Sequence, residues 1–158
     1  MSILAIDPGT EQSGWCHYGA GIVFATGVAS NDQVLHWLEA STFRDAAQVA
    51  IEMIASYGMP VGREVFETCL WIGEFRHACR GKVPVRLVYR RDVKAHLCHN
   101  TKANDANVRQ ALLDRFPRTG GGATPQIGIK AKPGPLYGVS THAWPALGVA
   151  IVAAEVPA

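Results

Sequence analysis

The chain opens with an apolar run that stops on an acid. In "ILAIDPGT", Ile3, Leu4, Ala5 and Ile6 read as a buried strand, and Pro8 and Gly9 end it directly after Asp7. A carboxylate at the end of a buried strand needs a reason, because burying an unpaired charge is expensive. It holds a metal ion, sits beside a nucleotide phosphate, or starts a turn. Residues 47–52, "AQVAIE", repeat the pattern and end on Glu52. If the two strands lie side by side in one sheet, both carboxylates converge at one edge. The plain alternative for Glu52 is a capping role in the turn before Pro60.

The remaining elements fit around such a sheet. Residues 14–18 and 22–28 read as two further strands, joined by "GAG" as a hairpin, so the first three strands form a meander. "SNDQVLHWLEAST" reads as a helix capped by Ser30 or Asn31, with Val34, Leu35 and Leu38 on its apolar side. A second helix begins near Pro60 and runs to Cys79. It places Val65, Phe66, Cys69, Leu70, Gly73 and Arg76 on one stripe, and Trp71 and Phe75 on another. "VRLVY" is a strand, "RDVKAHL" a short helical turn, and 104–116 an amphipathic helix ended by Pro117. Residues 118–138, rich in Gly and Pro and without periodicity, read as a long mobile loop. The last helix starts at "STHAW" with Ser140 as cap, and Pro145 is expected to kink or shorten it. This order is α/β, a central sheet flanked by helices.

A chain of 158 residues is expected to be a single domain, 1–158, with a real core. No apolar run reaches a membrane-spanning length and no basic-then-apolar leader is present, so a cytoplasmic location is expected. Four cysteines form no CxxC pair, which argues against a zinc ribbon. Cys98, between His96 and His99, reads as a reduced thiol near a helix end rather than a metal ligand. The charge is lopsided. Residues 1–75 hold two Lys/Arg against nine Asp/Glu, a net of −7, whereas 76–158 hold thirteen against four, a net of +9. The densest run, Arg76 to Lys94, is opposed only by Asp92. Such asymmetry suits a polyanionic partner, above all nucleic acid, against the plain reading of a solvated face.

Two strand-end acids suit a hard divalent cation, which takes oxygen ligands and leaves room for water and phosphate oxygens. A pair of such ions would activate water and stabilise the leaving oxygen of a phosphodiester. His142, at the start of the last helix, is either a further ligand or a polar surface residue. Asp105 reads first as a helix-dipole carboxylate.

Taken together, "ILAIDPGTEQSGW", "VAIEM", "RRDVKAHL" followed by "TKANDANVRQAL", and "STHAWPALGVAIVAA" resemble the RuvC-type Holliday junction resolvases of the RNase H-like nuclease superfamily. The resemblance runs over essentially the whole chain in order and spacing, and is nearest to the phage-encoded branch. It implies an RNase H-like mixed five-stranded sheet flanked by helices. It also implies a homodimer that binds four-way DNA junctions and nicks two opposing strands symmetrically with Mg²⁺ or Mn²⁺, two ions per site. The location would then be the host cytoplasm, with no nucleotide cofactor and no membrane.

By position, the resemblance makes Asp7, Glu52 and His142 the catalytic and metal-binding residues. The family usually has an aspartate three residues after the histidine position, and here Pro145 stands there. Asp105, Glu155 or water would then complete the shell, and Asp105 is the better candidate of the two acids. Lys94 matches a lysine used near the DNA backbone. Arg90, Arg91, Lys102, Lys130 and Lys132 are further phosphate contacts by charge and location. The helix carrying Trp71 and Phe75 lies where such proteins dimerise, although both aromatics suit an internal core equally well.

Three rivals remain. The "DPGT" turn also fits an ATP-binding protein of the sugar-kinase and actin type, but that architecture needs two domains and the chain is too short for both. A YqgF-like RNA nuclease shares the fold and a similar "DxGT" start. A catalytically weakened branched-DNA-binding protein would explain Pro145.

Overall fold

A parallel pairing at the centre of the sheet brings the two acid-ended strands together. The computed structural model describes all residues, 1–158. Strand β1 (Ser2–Pro8) turns back into β2 (Gln12–Gly19) and β3 (Ile22–Ser30) as an antiparallel meander. The β2–β3 hairpin turns on Ala20 and Gly21, both at positive φ (51° and 77°), which matches the twist of the flanking strands. Helix α1 (Asn31–Glu39) then crosses to β4 (Ala46–Met53), which pairs parallel to β1. Helix α2 (Arg63–Cys79) leads to β5 (Val85–Tyr89), parallel to β4. The sheet order is β3-β2-β1-β4-β5. This is the expected mixed five-stranded sheet.

Helices α3 (Arg90–Cys98), α4 (Asp105–Leu113) and α5 (Trp144–Glu155) complete the chain. Alternation along the central strands feeds two cores. Ile3, Ala5, Ala50 and Val88 pack with α3, α4 and α5 on one face. Leu4, Ile6, Val49 and Ile51 pack with α1 and α2 on the other. Helix α5 lies across β1, β2 and β4 and is buried from Trp144 to Val152 except at Pro145. A side chain at Gly148 would come within 2.9 Å of Val93 Cγ1, so this glycine lets α3 close onto α5.

Several boundaries differ from the sequence reading. Helix α2 starts after Gly62 rather than at Pro60, and α3 is a full nine-residue helix. The buried line of α2 is Thr68, Ile72, Phe75 and Cys79, whereas Phe66 (62% exposed) and Leu70 (72%) on the expected apolar stripe face outward. Phe75 is fully buried against the sheet and has no surface to offer a second subunit, so its interface assignment is corrected to core. Trp71 is only half-buried and its indole donates to the Thr10 carbonyl (3.1 Å).

Ala143, not Ser140, is the N-cap residue of α5, and Pro145 falls in its first turn, where the missing N–H breaks no helical bond and causes no kink. The stretch 118–138 is folded rather than loose. It carries the short hairpin β6 (Gly128–Ile129) and β7 (Lys132–Pro133), cross-tied by Gly120 N–H to Pro125 O (2.8 Å) and Leu136 N–H to Gln126 O (2.8 Å). Leu136 is fully buried beneath it. All four cysteines are free, and burial pushes the Cys16 thiol up to about 12 and Cys79 to about 11. No helix is long and apolar enough to cross a membrane.

Candidate active site

The register from Ile3 against Gln48 to Ile6 against Ile51 makes Asp7 and Glu52 neighbours at the carboxyl ends of β1 and β4. Both alternate onto the α5 side of the sheet, since Ala5 and Ala50, two residues earlier, belong to that core. Strand β5 ends beside them, and Arg90 follows it without an intervening loop. Three parallel strands therefore deliver a carboxylate, a carboxylate and a guanidinium to one edge, the position where open α/β sheets place their ligands.

The carboxyls are forced against each other in a poorly solvated place. Burial pushes Glu52 up to about 8, with the Asp7 charge adding to the effect, while Arg90 opposes it. Burial also raises Asp7. A hydrogen bond from Glu52 and the charges of Arg90 and His142 pull it back. Glu52 is 9% exposed, and its Oε2 is buried without any hydrogen-bond partner. An orphaned carboxylate oxygen beside a second carboxylate leaves an unmet demand for positive charge. This donor set fits Mg²⁺ or Mn²⁺, since Mg²⁺ is commonly held by one or two carboxylates plus waters and substrate phosphates.

The other expected ligands are less closely gathered, and no three of His, Cys, Asp and Glu stand together as a ready metal cage. His142 is exposed and lines with Asp7 a cleft of about 340 Å³ whose other lining is the turn 8–12 with Gly14 and Val28. Gly14 fixes that placement. A Cβ there would lie 1.8 Å from the His142 carbonyl oxygen, so only glycine lets the histidine segment approach β2. Asp105 acts electrostatically on both carboxylates but its own oxygen accepts a bond from Arg90. Glu155 is remote from the pair: His96 (2.6 Å) and Arg115 (2.5 Å) bind it, and they outweigh burial to hold it below its ordinary value.

The rim itself is rigid. Asn31, 1% exposed, donates to the Gly9 carbonyl (2.9 Å) and accepts from Ser13 Oγ (2.6 Å), and its backbone N–H reaches Glu11 O (2.9 Å). Ser30 supplies the helix cap, which frees Asn31 for this work. Sequence reasoning weighed Asn31 only as a cap. Its polar side chain at the head of an otherwise well-capped helix was the available signal.

Of the basic residues, Arg90, Arg91 and Lys94 line one cleft with Thr101 and Tyr57. Lys102 is exposed next to Thr101, and Lys130 and Lys132 are exposed on the β6–β7 hairpin. Arg90 thus stands at the carboxylates as well as in the basic cleft, a double position invisible in the sequence.

A 3-2-1-4-5 mixed sheet with acids ending its two adjacent central parallel strands is the RNase H-like α/β fold, in its RuvC-like form. The chain is similar to the RuvC structure of Thermus thermophilus (TM-score 0.66, 18% identity, covering 96% of this chain and 92% of that one). It is equally similar to T. thermophilus RuvC in complex with Holliday junction substrate (TM-score 0.67, 18% identity, 96% and 91%). No family model and no curated protein matches the chain.

Proposed function

We propose that this protein is a divalent-metal-dependent endonuclease of the RuvC type, nearest the phage-encoded branch and acting in the host cytoplasm. It works as a homodimer that resolves four-way DNA junctions by paired symmetric nicks. The observation that carries this reading is the buried Asp7–Glu52 pair with its unpartnered Oε2. The T. thermophilus RuvC complex supplies the substrate by analogy of fold.

Asp7 and Glu52 would hold the ions, two per site, with His142 of the same cleft as a further ligand. Bound there, divalent ions supply an activated water and charge stabilisation for the leaving oxygen. The chain's own groups do the rest. Arg90 offsets the negative charge of the pair and faces the incoming phosphate. Arg91, Lys94 and Lys102 extend that positive surface along the backbone, and Lys130 and Lys132 add to it from the hairpin. The outward Phe66 and Leu70 of α2, with Trp71 beside them, form the dimer surface.

Two observations favour a second reading, a junction-binding protein with weakened catalysis. Pro145 stands where an acid is expected, and Asp105 is engaged by Arg90. A synthetic four-way junction separates the two. Nicking with Mg²⁺ or Mn²⁺ that is lost in Asp7→Asn and Glu52→Gln supports the nuclease. Tight binding with no nicking in either metal supports the second reading.

A further inference from the structure

A cleft of about 220 Å³ lies between α4 and the start of α5, lined by Arg90, Asp105, Arg109, Thr141, Trp144 and Pro145. It shares Arg90 and Asp105 with the carboxylate edge, and Thr141 and Pro145 flank the His142 segment. One wall is therefore common to this cleft and the candidate active site. Arg109 is its distinctive feature. The guanidinium sits over the Trp144 ring, 5.1 Å from its centroid, and makes no ion pair with any carboxylate. The nearby acid one turn earlier on α4, Asp105, is taken by Arg90.

The charge of Arg109 thus has no carboxylate partner, and the Trp144 face is its one aromatic contact. Trp144 is 8% exposed, anchored in the core, so the ring is a firm platform for the cation. A guanidinium over an aromatic face keeps N–H donors free, and such donors can bind a phosphate through two parallel hydrogen bonds. Pro145 contributes no charge to this wall. An aspartate there would oppose an anion. With proline in its place, Arg90 and Arg109 face only Asp105 in the cleft, so the net charge of the lining is positive.

We propose that this cleft is a second phosphate subsite, which takes a backbone phosphate of the DNA strand next to the one at Asp7 and Glu52, with Arg109 as its anion-binding residue and Trp144 as the platform that aims it. The inference rests on the nucleic-acid reading above and deepens it, without depending on cleavage. It also gives the proline a consequence: Pro145 adds no negative charge to a wall that holds two guanidinium groups.

The test is metal-free binding, in chelator, of a four-way junction and of a linear duplex, each titrated across salt concentrations. Arg109→Ala is expected to weaken both about tenfold and to lower the salt slope by about 1, the signature of one lost phosphate contact. Arg109→Lys keeps the charge but not the fork and is expected to recover the slope and only part of the affinity. Arg63→Ala, removing a cation paired with Glu67 on the far helix α2, serves as the control and is expected to match wild type. An Arg109→Ala protein that binds with unchanged affinity and slope overturns the subsite alone. A wild-type chain that binds neither DNA overturns the subsite together with the reading it rests on.

Discussion

Burial and mutual repulsion hold Asp7 and Glu52 at an electrostatic disadvantage when both are ionised. In the metal-free protein, Glu52 titrates near pH 8 rather than 4.5 because burial and the Asp7 charge disfavour its ionised form. Between those values the folded chain keeps a proton that the unfolded chain has released, so the contribution of Glu52 to folding stability is greatest below about pH 4.5 and falls as pH rises toward 8. The loss is on the order of a few kcal/mol. Urea unfolding in chelator should show this decline, and Glu52→Gln should flatten it. Saturating Mn²⁺ should abolish it as well, because the ion displaces the proton. Asp7→Asn and Glu52→Gln should lower junction nicking by at least ~10²-fold while leaving junction binding near wild type, measured on the same labelled substrate. His142→Ala should also reduce nicking strongly; an unchanged rate would leave the histidine as a surface residue of the α5 approach.

At the level of elements, the site depends on how closely two backbone segments meet. Gly14→Ala pushes a Cβ into the His142 carbonyl and should impair nicking much as His142→Ala does, although Asp7 itself is untouched. Asn31→Ala removes one hydrogen bond to the Gly9 carbonyl of the 8–12 turn and a buried one to Ser13, and should cost about 1–3 kcal/mol in urea unfolding. These contacts explain what the sequence could and could not tell. The strand-end acids were legible because a two-residue period and an apolar run are local signals, and their convergence followed once β1 and β4 paired in parallel. The close approach at Gly14, the Arg90–Asp105 bond and the Arg109–Trp144 stack join residues far apart in the chain, and no periodicity encodes them. Phe75 misled for a related reason. Helix α2 carries apolar residues on two sides, and which side meets the sheet is decided by Thr68, Ile72 and Cys79 only in three dimensions. The Gly- and Pro-rich stretch 118–138 looked structureless because its order comes from turns around Leu136 rather than from a repeating pattern.

For the molecule as a whole, the acidic first half supplies the carboxylates and the basic second half supplies Arg90, Arg91 and Lys94 of a further cleft, so a net charge of only +2 is compatible with the polyanionic partner proposed above. A two-fold assembly would give two such edges for two opposed strands. If the outer face of α2 is the dimer surface, Phe66→Ser with Leu70→Ser should shift sedimentation from dimer to monomer without unfolding the chain, since both side chains are already exposed. The most direct measurement is a crystal of this protein grown with Mn²⁺ and read by anomalous scattering. Density between Asp7 and Glu52, with Glu52 Oε2 as a ligand, is the predicted result. An Asp7–Glu52 pair that binds no Mn²⁺ at saturating concentration would contradict the metal-dependent nuclease.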